Sequence, residues 1–213
     1  MTGAEVTSDK SRATCLNQSV KNGSAHGFTL IELLIVIGII VVLLGLAFPV
    51  FQGVQDRARK VQAKNDVTQI VTAVNAFYTE YGKYPIATDD LPLNASATAD
   101  LFYTLRGVAS GANNGNAQNT RQIVFISPGQ DTGGNPKGKI GGDGQFYDPW
   151  GTPYKVAING TYDNDIANPY GNNGAGVDPI RQGVIAWSYG KDTQLGTKGD
   201  GKFTNSDDVI SWQ

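Results

Sequence analysis

One uninterrupted apolar segment, Phe28 to Phe51, restricts the fold of this chain more than any other feature. Its 24 residues would form a helix of roughly 36 Å at about 1.5 Å per residue, which is long enough to cross the hydrocarbon core of a bilayer. The residues before it include the basic Lys10, Arg12 and Lys21, which predict that this end stays in the cytoplasm. We therefore expect a single-pass membrane protein whose C-terminal part lies outside, in a periplasm or beyond.

A secretory signal peptide explains the segment poorly, because the apolar run is too long and residues 48–51 lack the small residues of a cleavage site. A plain membrane anchor explains everything except Glu32. A carboxylate at that depth costs on the order of 3 kcal/mol, so its partner should be water, a lipid headgroup or a charge on another chain. A cut between Gly27 and Phe28 would create an α-amine that could pair with Glu32 of a neighbouring copy and fix the stagger between the two helices.

The string GFTLIELLIVIGII, residues 27–40, resembles the prepilin signal of type IV pilins and type II secretion pseudopilins. The shared elements are Gly27 before the cut, Phe28 as the first mature residue, and Glu32. The resemblance implies that a prepilin peptidase removes the leader 1–27 and that Phe28 is N-methylated. It also implies that the mature helices assemble into a filament core, from an inner-membrane location.

Cleavage at that point would remove the only methionine, cysteine and histidine of the chain, Met1, Cys15 and His26. The mature chain could then form no disulfide, and it would lack the side chains used for histidine acid–base catalysis, cysteine nucleophiles and most zinc sites. We therefore expect a structural protein and not an enzyme. Many type IV pilins close a C-terminal loop with a disulfide, so its absence favours the pseudopilin side of the family. The net charge of −2 indicates no nucleic-acid surface.

The rest of the chain predicts an α+β fold. Apolar residues recur at three- and four-residue spacing from Val54 to Tyr81, which predicts an amphipathic helix ended by Gly82 and Pro85. A short helix is expected within residues 91–105, and apolar alternation predicts strands in 121–126, 154–158, 184–189 and 209–212. We expect a pilin-like architecture in which the long N-terminal helix packs on a small antiparallel sheet. The predicted parts are the leader 1–27, the transmembrane assembly helix 28–51 and a periplasmic domain 52–213.

Four aspartates fall within a glycine-rich loop near the end of the sequence: Asp192, Asp200, Asp207 and Asp208. Short carboxylates in turns suit a hard cation that binds several oxygen ligands. Their spacing does not match an EF-hand, and Asx turns with solvated charges explain the same residues equally well. The sequence alone leaves these two interpretations open.

The string DPWGTPY, residues 148–154, and the loop that ends in DDVISW, residues 207–212, resemble the major pseudopilin of type II secretion systems. In that family the C-terminal loop wraps one calcium ion. The resemblance implies that Asp192 and Asp208 are acidic ligands, that Asp200 is the middle one, and that Asp207 is an extra acid able to replace either.

The same resemblance implies a subunit of a secretion pseudopilus that helps to move folded proteins across the outer membrane. The expected partners are further copies of the chain in a helical homopolymer, the prepilin peptidase, minor pseudopilins, the inner-membrane assembly platform and membrane lipid. The alternative is a type IV pilin for adhesion, motility or DNA uptake. Cargo and filament symmetry are not indicated by the sequence.

Overall fold

The computed structural model describes residues 27–86 and 92–213, apart from the side chains of residues 46–52. Its helices are α1 (Leu30–Tyr81) and α2 (Ala95–Leu105), with a short 3₁₀ helix at Gly111–Asn116. Its strands are β1 (Lys155–Ile158), β2 (Val184–Ser188) and β3 (Val209–Ile210). The chain divides into two units, residues 1–47 and 48–213. Most of the predicted leader, residues 1–26, lies outside the described residues.

The described part of the first unit is the start of α1 and the three residues before it. Its large apolar side chains from Leu30 to Leu44 are all exposed, by 46% or more. Across the described residues, no helix combines the length and the apolar character that a membrane crossing requires. The predicted span 28–51 runs on into residues 46–51, whose side chains lie outside the described set.

In the second unit, α1 buries one face against a core. Its buried apolar residues include a set at three- and four-residue spacing: Ala63, Val67, Ile70, Val74 and Phe77. This is the apolar stripe of an amphipathic helix. Gly82 ends the helix in the left-handed conformation, with φ +68°, and its N–H bonds the carbonyl oxygen of Tyr78 at 2.8 Å. The predicted end of the helix near Tyr81 is confirmed.

The three strands form an antiparallel sheet in the order β1-β2-β3, with Val156 opposite Ala186 and Trp187 opposite Ile210. Alternate strand residues point to opposite faces. Val156 and Ala186 join the core that includes α1, whereas Ile185 and Trp187 join a second cluster. The predicted α+β fold, with a helix and a small antiparallel sheet, is confirmed.

The second cluster is covered by the long insertion between β1 and β2, residues 159–183. The insertion contributes four buried apolar side chains to it, Ile166, Tyr170, Ala175 and Ile180. All five residues of β2 are therefore buried. No role for this segment was predicted from the sequence, and its role in the structure is to cover the outer face of the sheet.

The predicted strand at residues 121–126 is wrong. The N–H groups of Phe125 and Ile126 both bond the carbonyl oxygen of Leu105, at the end of α2. The N–H of Ile123 bonds the side chain of Asn119, and Gln122 has a left-handed φ of +54°. These N–H groups bond the end of α2 and the Asn119 side chain, so they are not available for hydrogen bonds to a neighbouring strand.

Candidate functional site

The predicted cleavage point lies just outside α1. Gly27, Phe28 and Thr29 precede the helix, and the Phe28 side chain is 77% exposed. A Cβ placed on Gly27 would meet no atom within 4 Å. The peptide bond between Gly27 and Phe28 is therefore in an exposed segment and not in a helical turn.

Glu32 has a partner that the sequence argument missed. One carboxylate oxygen accepts hydrogen bonds from the backbone N–H of Thr29 at 2.8 Å and from its hydroxyl at 2.7 Å. The Thr29 hydroxyl oxygen in turn accepts the N–H of Glu32 at 3.3 Å. This is a capping box, in which a threonine and a glutamate three residues apart satisfy the free N–H groups of a helix start.

The expectation that only water, a headgroup or another chain could partner Glu32 is therefore wrong. The order Thr29-x-x-Glu32 was the signal for an internal partner. The capping box leaves the carboxylate exposed on the helix surface, so a second charge can still approach it.

Three of the four predicted acidic residues come together in the second unit. Asp192, Asp207 and Asp208 each offer a carboxylate oxygen within 4.8 Å of the others. We call these three residues the acidic cluster. Asp192 and Asp207 are half-buried and Asp208 is buried. Two of them lie immediately before β3 and the third lies shortly after β2, so the antiparallel pairing of these strands brings them together.

Asp208 is the most constrained member of the acidic cluster. Its Oδ2 accepts hydrogen bonds from the Tyr170 hydroxyl and from the N–H of Gly196, both at 2.7 Å. Its Oδ1 is buried and has no hydrogen-bond partner among the described residues. Burial, helped by the charges of Asp207 and Asp192, raises the pKa of Asp208 to about 6, although the hydrogen bonds from Tyr170 and Gly196 act to lower it.

The other two carboxylates accept hydrogen bonds from backbone N–H groups of the same loop. Asp207 Oδ2 accepts the N–H groups of Lys191 and Asp192, and the two oxygens of Asp192 accept the N–H groups of Gln194 and Lys198. Gly190 has a left-handed φ of +67°, and a Cβ there would come within 2.6 Å of the Asp207 carbonyl oxygen. A glycine is required for this close approach.

Asp200 is outside the acidic cluster. Its Oδ1 accepts the N–H groups of Thr197 and Lys202, which makes it the centre of a turn. Its position therefore fits the Asx-turn interpretation that the sequence left open.

The acidic cluster fits a hard divalent cation. It supplies three carboxylates, and a buried oxygen of Asp208 lacks the partner that buried polar atoms normally have. Oxygen donors of this kind are those that Ca²⁺ prefers. Asp192, Asp207 and Asp208 would hold the ion, and its charge would offset the repulsion between them.

A further aspartate, Asp148, accepts several hydrogen bonds within the DPWG segment and was not predicted from the sequence to do so. Its Oδ1 accepts the N–H groups of Trp150, Gly151 and Thr152, and its Oδ2 accepts the Ser188 hydroxyl at 2.6 Å. The carboxylate is fully buried. It connects the turn before β1 to the end of β2, close in sequence to the loop of the acidic cluster.

Comparison with known proteins identifies the N-terminal segment. Residues 22–48 match the family model of the prokaryotic N-terminal methylation motif. A stretch of 63 residues, 30% of this chain, is 40% identical to the type IV major pilin protein PilA of Myxococcus xanthus. A stretch of 86 residues, 40% of this chain, is 36% identical to the fimbrial protein EcpC of Eikenella corrodens. Together these matches support a type IV pilin-like family.

The matches of this pilin-like chain are partial. The aligned regions span 29% of the Myxococcus pilin and 55% of the Eikenella fimbrial protein. No solved structure is significantly similar to it. Both relatives are named as pilin or fimbrial proteins and not as enzymes, and the similarity does not separate pilins from pseudopilins.

Proposed function

We propose that the protein is the structural subunit of a filament, which polymerises through residues 28–51. The observation that carries this proposal is the methylation motif at residues 22–48, whose matched range includes the exposed apolar residues Leu30 to Leu44 of α1. Apolar surface of this extent has to be removed from water. Membrane lipid would cover it before assembly, and the helices of neighbouring copies would cover it in the filament.

Processing by a prepilin peptidase would prepare the subunit. The enzyme cuts between Gly27 and Phe28 and the new N-terminus of Phe28 is methylated. The accessible position of this peptide bond, ahead of the first helical residue, supports the proposal. The leader and its basic residues stay in the cytoplasm, and the globular domain lies in the periplasm.

Glu32 would act twice. Before cleavage it caps α1 through Thr29. After cleavage the α-amine of Phe28 on a neighbouring copy would pair with the same carboxylate and set the stagger of the helices.

A Glu32→Gln variant tests this role, because glutamine can still cap Thr29 but carries no charge. We expect normal removal of the leader and at least about ten-fold less sedimentable polymer in sheared cell fractions. Glu80→Gln, near the other end of α1, is the matched control and should polymerise like the wild type. An unchanged amount of polymer in the Glu32 variant would contradict the pairing.

The filament would be the pseudopilus of a type II secretion system, working with minor pseudopilins and an inner-membrane platform to move folded proteins across the outer membrane. The acidic cluster and the absence of cysteine from residues 28–213 support this choice. The printed names of the relatives favour the second candidate, a surface type IV pilin. Deletion of the gene separates the two: a pseudopilin mutant retains enzymes in the periplasm, and a pilin mutant loses surface filaments while secretion continues.

Calcium would stabilise the periplasmic domain by binding the acidic cluster. A ligand that binds only the folded state at about one hundred times its Kd adds about 2.7 kcal/mol to the free energy of unfolding. We expect CaCl₂ to raise the melting temperature of the purified chain in detergent, and Asp192→Asn to remove most of this rise. Asp200→Asn should retain it, because Asp200 lies outside the cluster. A wild-type melting temperature that does not respond to calcium would exclude the site.

A further inference from the structure

A cavity of about 220 Å³ lies beside the C-terminal end of α2. Its polar lining comes from Tyr103, Arg106, Gln130 and Asp131, and the glycine-rich turn 141–144 forms another wall. We call it the Arg106 cavity. None of its lining residues belongs to the acidic cluster or to the N-terminal segment, so the proposed filament function does not use it.

Arg106 carries a positive charge that no residue described by the structure pairs with. Its backbone N–H closes α2 by bonding the carbonyl oxygens of Phe102 and Thr104. Its guanidinium is half-buried and makes no hydrogen bond or ion pair with any described residue. Burial lowers the pKa of Arg106 because it disfavours the cation. By contrast, the more exposed Arg121 and Arg181 each pair with a carboxylate.

Asp131 contributes the opposite charge to the same cavity. Its backbone is fixed, because its N–H bonds the carbonyl oxygen of Ile140 at 2.9 Å. Its carboxylate has no hydrogen bond or ion pair within the described part of the chain, and it does not pair with Arg106. The cavity therefore contains one cation and one anion on separate backbone segments, and neither charge is paired with a residue of the described ranges 27–86 and 92–213.

The Tyr103 hydroxyl also lies in the Arg106 cavity, against the glycine-rich turn. Gly144 has a left-handed φ of +83°, and a Cβ there would lie 2.5 Å from the hydroxyl oxygen of Tyr103. Only glycine allows the turn to lie this close to the ring. The Tyr103 hydroxyl and the Gln130 amide make no hydrogen bonds to residues that the structure describes, so both are free to bind a ligand.

We propose that the Arg106 cavity binds a small zwitterion of the α-amino acid class. The guanidinium is suited to two parallel hydrogen bonds with a carboxylate, and Asp131 is suited to the ammonium group. The Tyr103 hydroxyl and the Gln130 amide provide further hydrogen bonds. A simple anion would be repelled by Asp131 and a simple cation by Arg106, so only a ligand with both charges satisfies the site. A volume of about 220 Å³ accommodates a small amino acid such as glycine, alanine or serine.

Ligand-observed NMR of the full chain in detergent tests the proposal, with a panel of the standard L-amino acids, acetate, inorganic phosphate and methylammonium as probes. We expect saturable binding of at least one small amino acid, and weaker binding of the three probes that carry a single kind of charge. Arg106→Gln and Asp131→Asn should each weaken amino acid binding at least about ten-fold. Arg181→Gln, which removes a surface arginine outside the cavity, is the matched control and should bind like the wild type.

Circular dichroism checks that each variant is folded. Tyr103→Phe removes only a hydroxyl from the cavity lining and provides a variant with a smaller structural change. The proposal is overturned if no standard amino acid binds saturably to the wild type, or if Arg106→Gln binds as tightly as the wild type. Phosphate or acetate that binds more tightly than every amino acid would also overturn it, because that result would identify a simple anion site.

Discussion

At the scale of single residues, the domain depends on buried carboxylates that connect elements. Asp66 on α1 is 8% exposed and accepts a hydrogen bond from the Tyr154 hydroxyl, next to β1, at 2.8 Å. Burial, helped by the charge of Asp148, raises the pKa of Asp66 to about 6, although the hydrogen bond from Tyr154 acts to lower it. The folded protein therefore holds this proton more tightly than the unfolded chain does.

This difference predicts a pH dependence of stability. As the pH rises from about 4 to about 6, the unfolded chain releases the proton first, so the free energy of unfolding falls. Above this range the stabilising contribution of Asp66 is fully lost. We expect Asp66 to account for about 1–3 kcal/mol of the fall. Chemical denaturation of the wild type and of Asp66→Asn at several pH values measures it. Asp208 is present in both proteins and contributes the same pH dependence to each. If the free energy of unfolding varied with pH in the same way in both proteins, the assignment to Asp66 would be contradicted.

Ser188 provides a second prediction at this scale. Its hydroxyl donates to the buried Asp148 at 2.6 Å and accepts the N–H of Gly190 at 3.0 Å. Ser188→Ala leaves both groups unsatisfied, so we expect it to lower the free energy of unfolding by about 1–3 kcal/mol. Ser206→Ala is the matched control, because the buried Ser206 hydroxyl has no partner among the described residues. Equal losses in the two variants would mean that the Asp148 connection contributes nothing.

At the scale of elements, α1 is held to the domain by one apolar face. Ile70 is fully buried in the core, whereas Val61 on the same helix is 71% exposed. Ile70→Ala should lower the free energy of unfolding by about 2–5 kcal/mol, through lost transfer energy and the cavity that remains. Val61→Ala should change it by less than about 0.5 kcal/mol. Urea denaturation of both variants checks this difference, and similar losses would mean that the helix docks through another face.

The elements were predictable where the signal was local. Periodic apolar residues and Gly82 located the end of α1, and alternation located β1 and β2 to within a residue or two. The failures came from contacts that periodicity does not contain. Phe125 and Ile126 belong to a strand-like pattern, but their backbone bonds the end of α2. Asp192 follows β2, whereas Asp207 and Asp208 precede β3, and only the pairing of these two strands brings the three carboxylates together without Asp200. The spacing along the sequence does not contain this pairing.

At the scale of the whole molecule, the two units have different surfaces. The described part of the first is a helix with exposed apolar side chains, and the second is closed on both faces of its sheet, by α1 on one side and by the insertion 159–183 on the other. Through Tyr170 the insertion also bonds Asp208 of the acidic cluster. The globular unit thus supports its own candidate metal site, whereas the described apolar side chains of the first unit are exposed.

Cleavage before Phe28 is the step by which we propose that this chain becomes a filament subunit. Mass spectrometry of the protein purified from its own membrane, intact and after proteolytic digestion, measures this directly. We expect a mature chain that begins with N-methylated Phe28 and contains none of residues 1–27. A membrane-derived protein that retains those residues, or that begins at any other position, would contradict it.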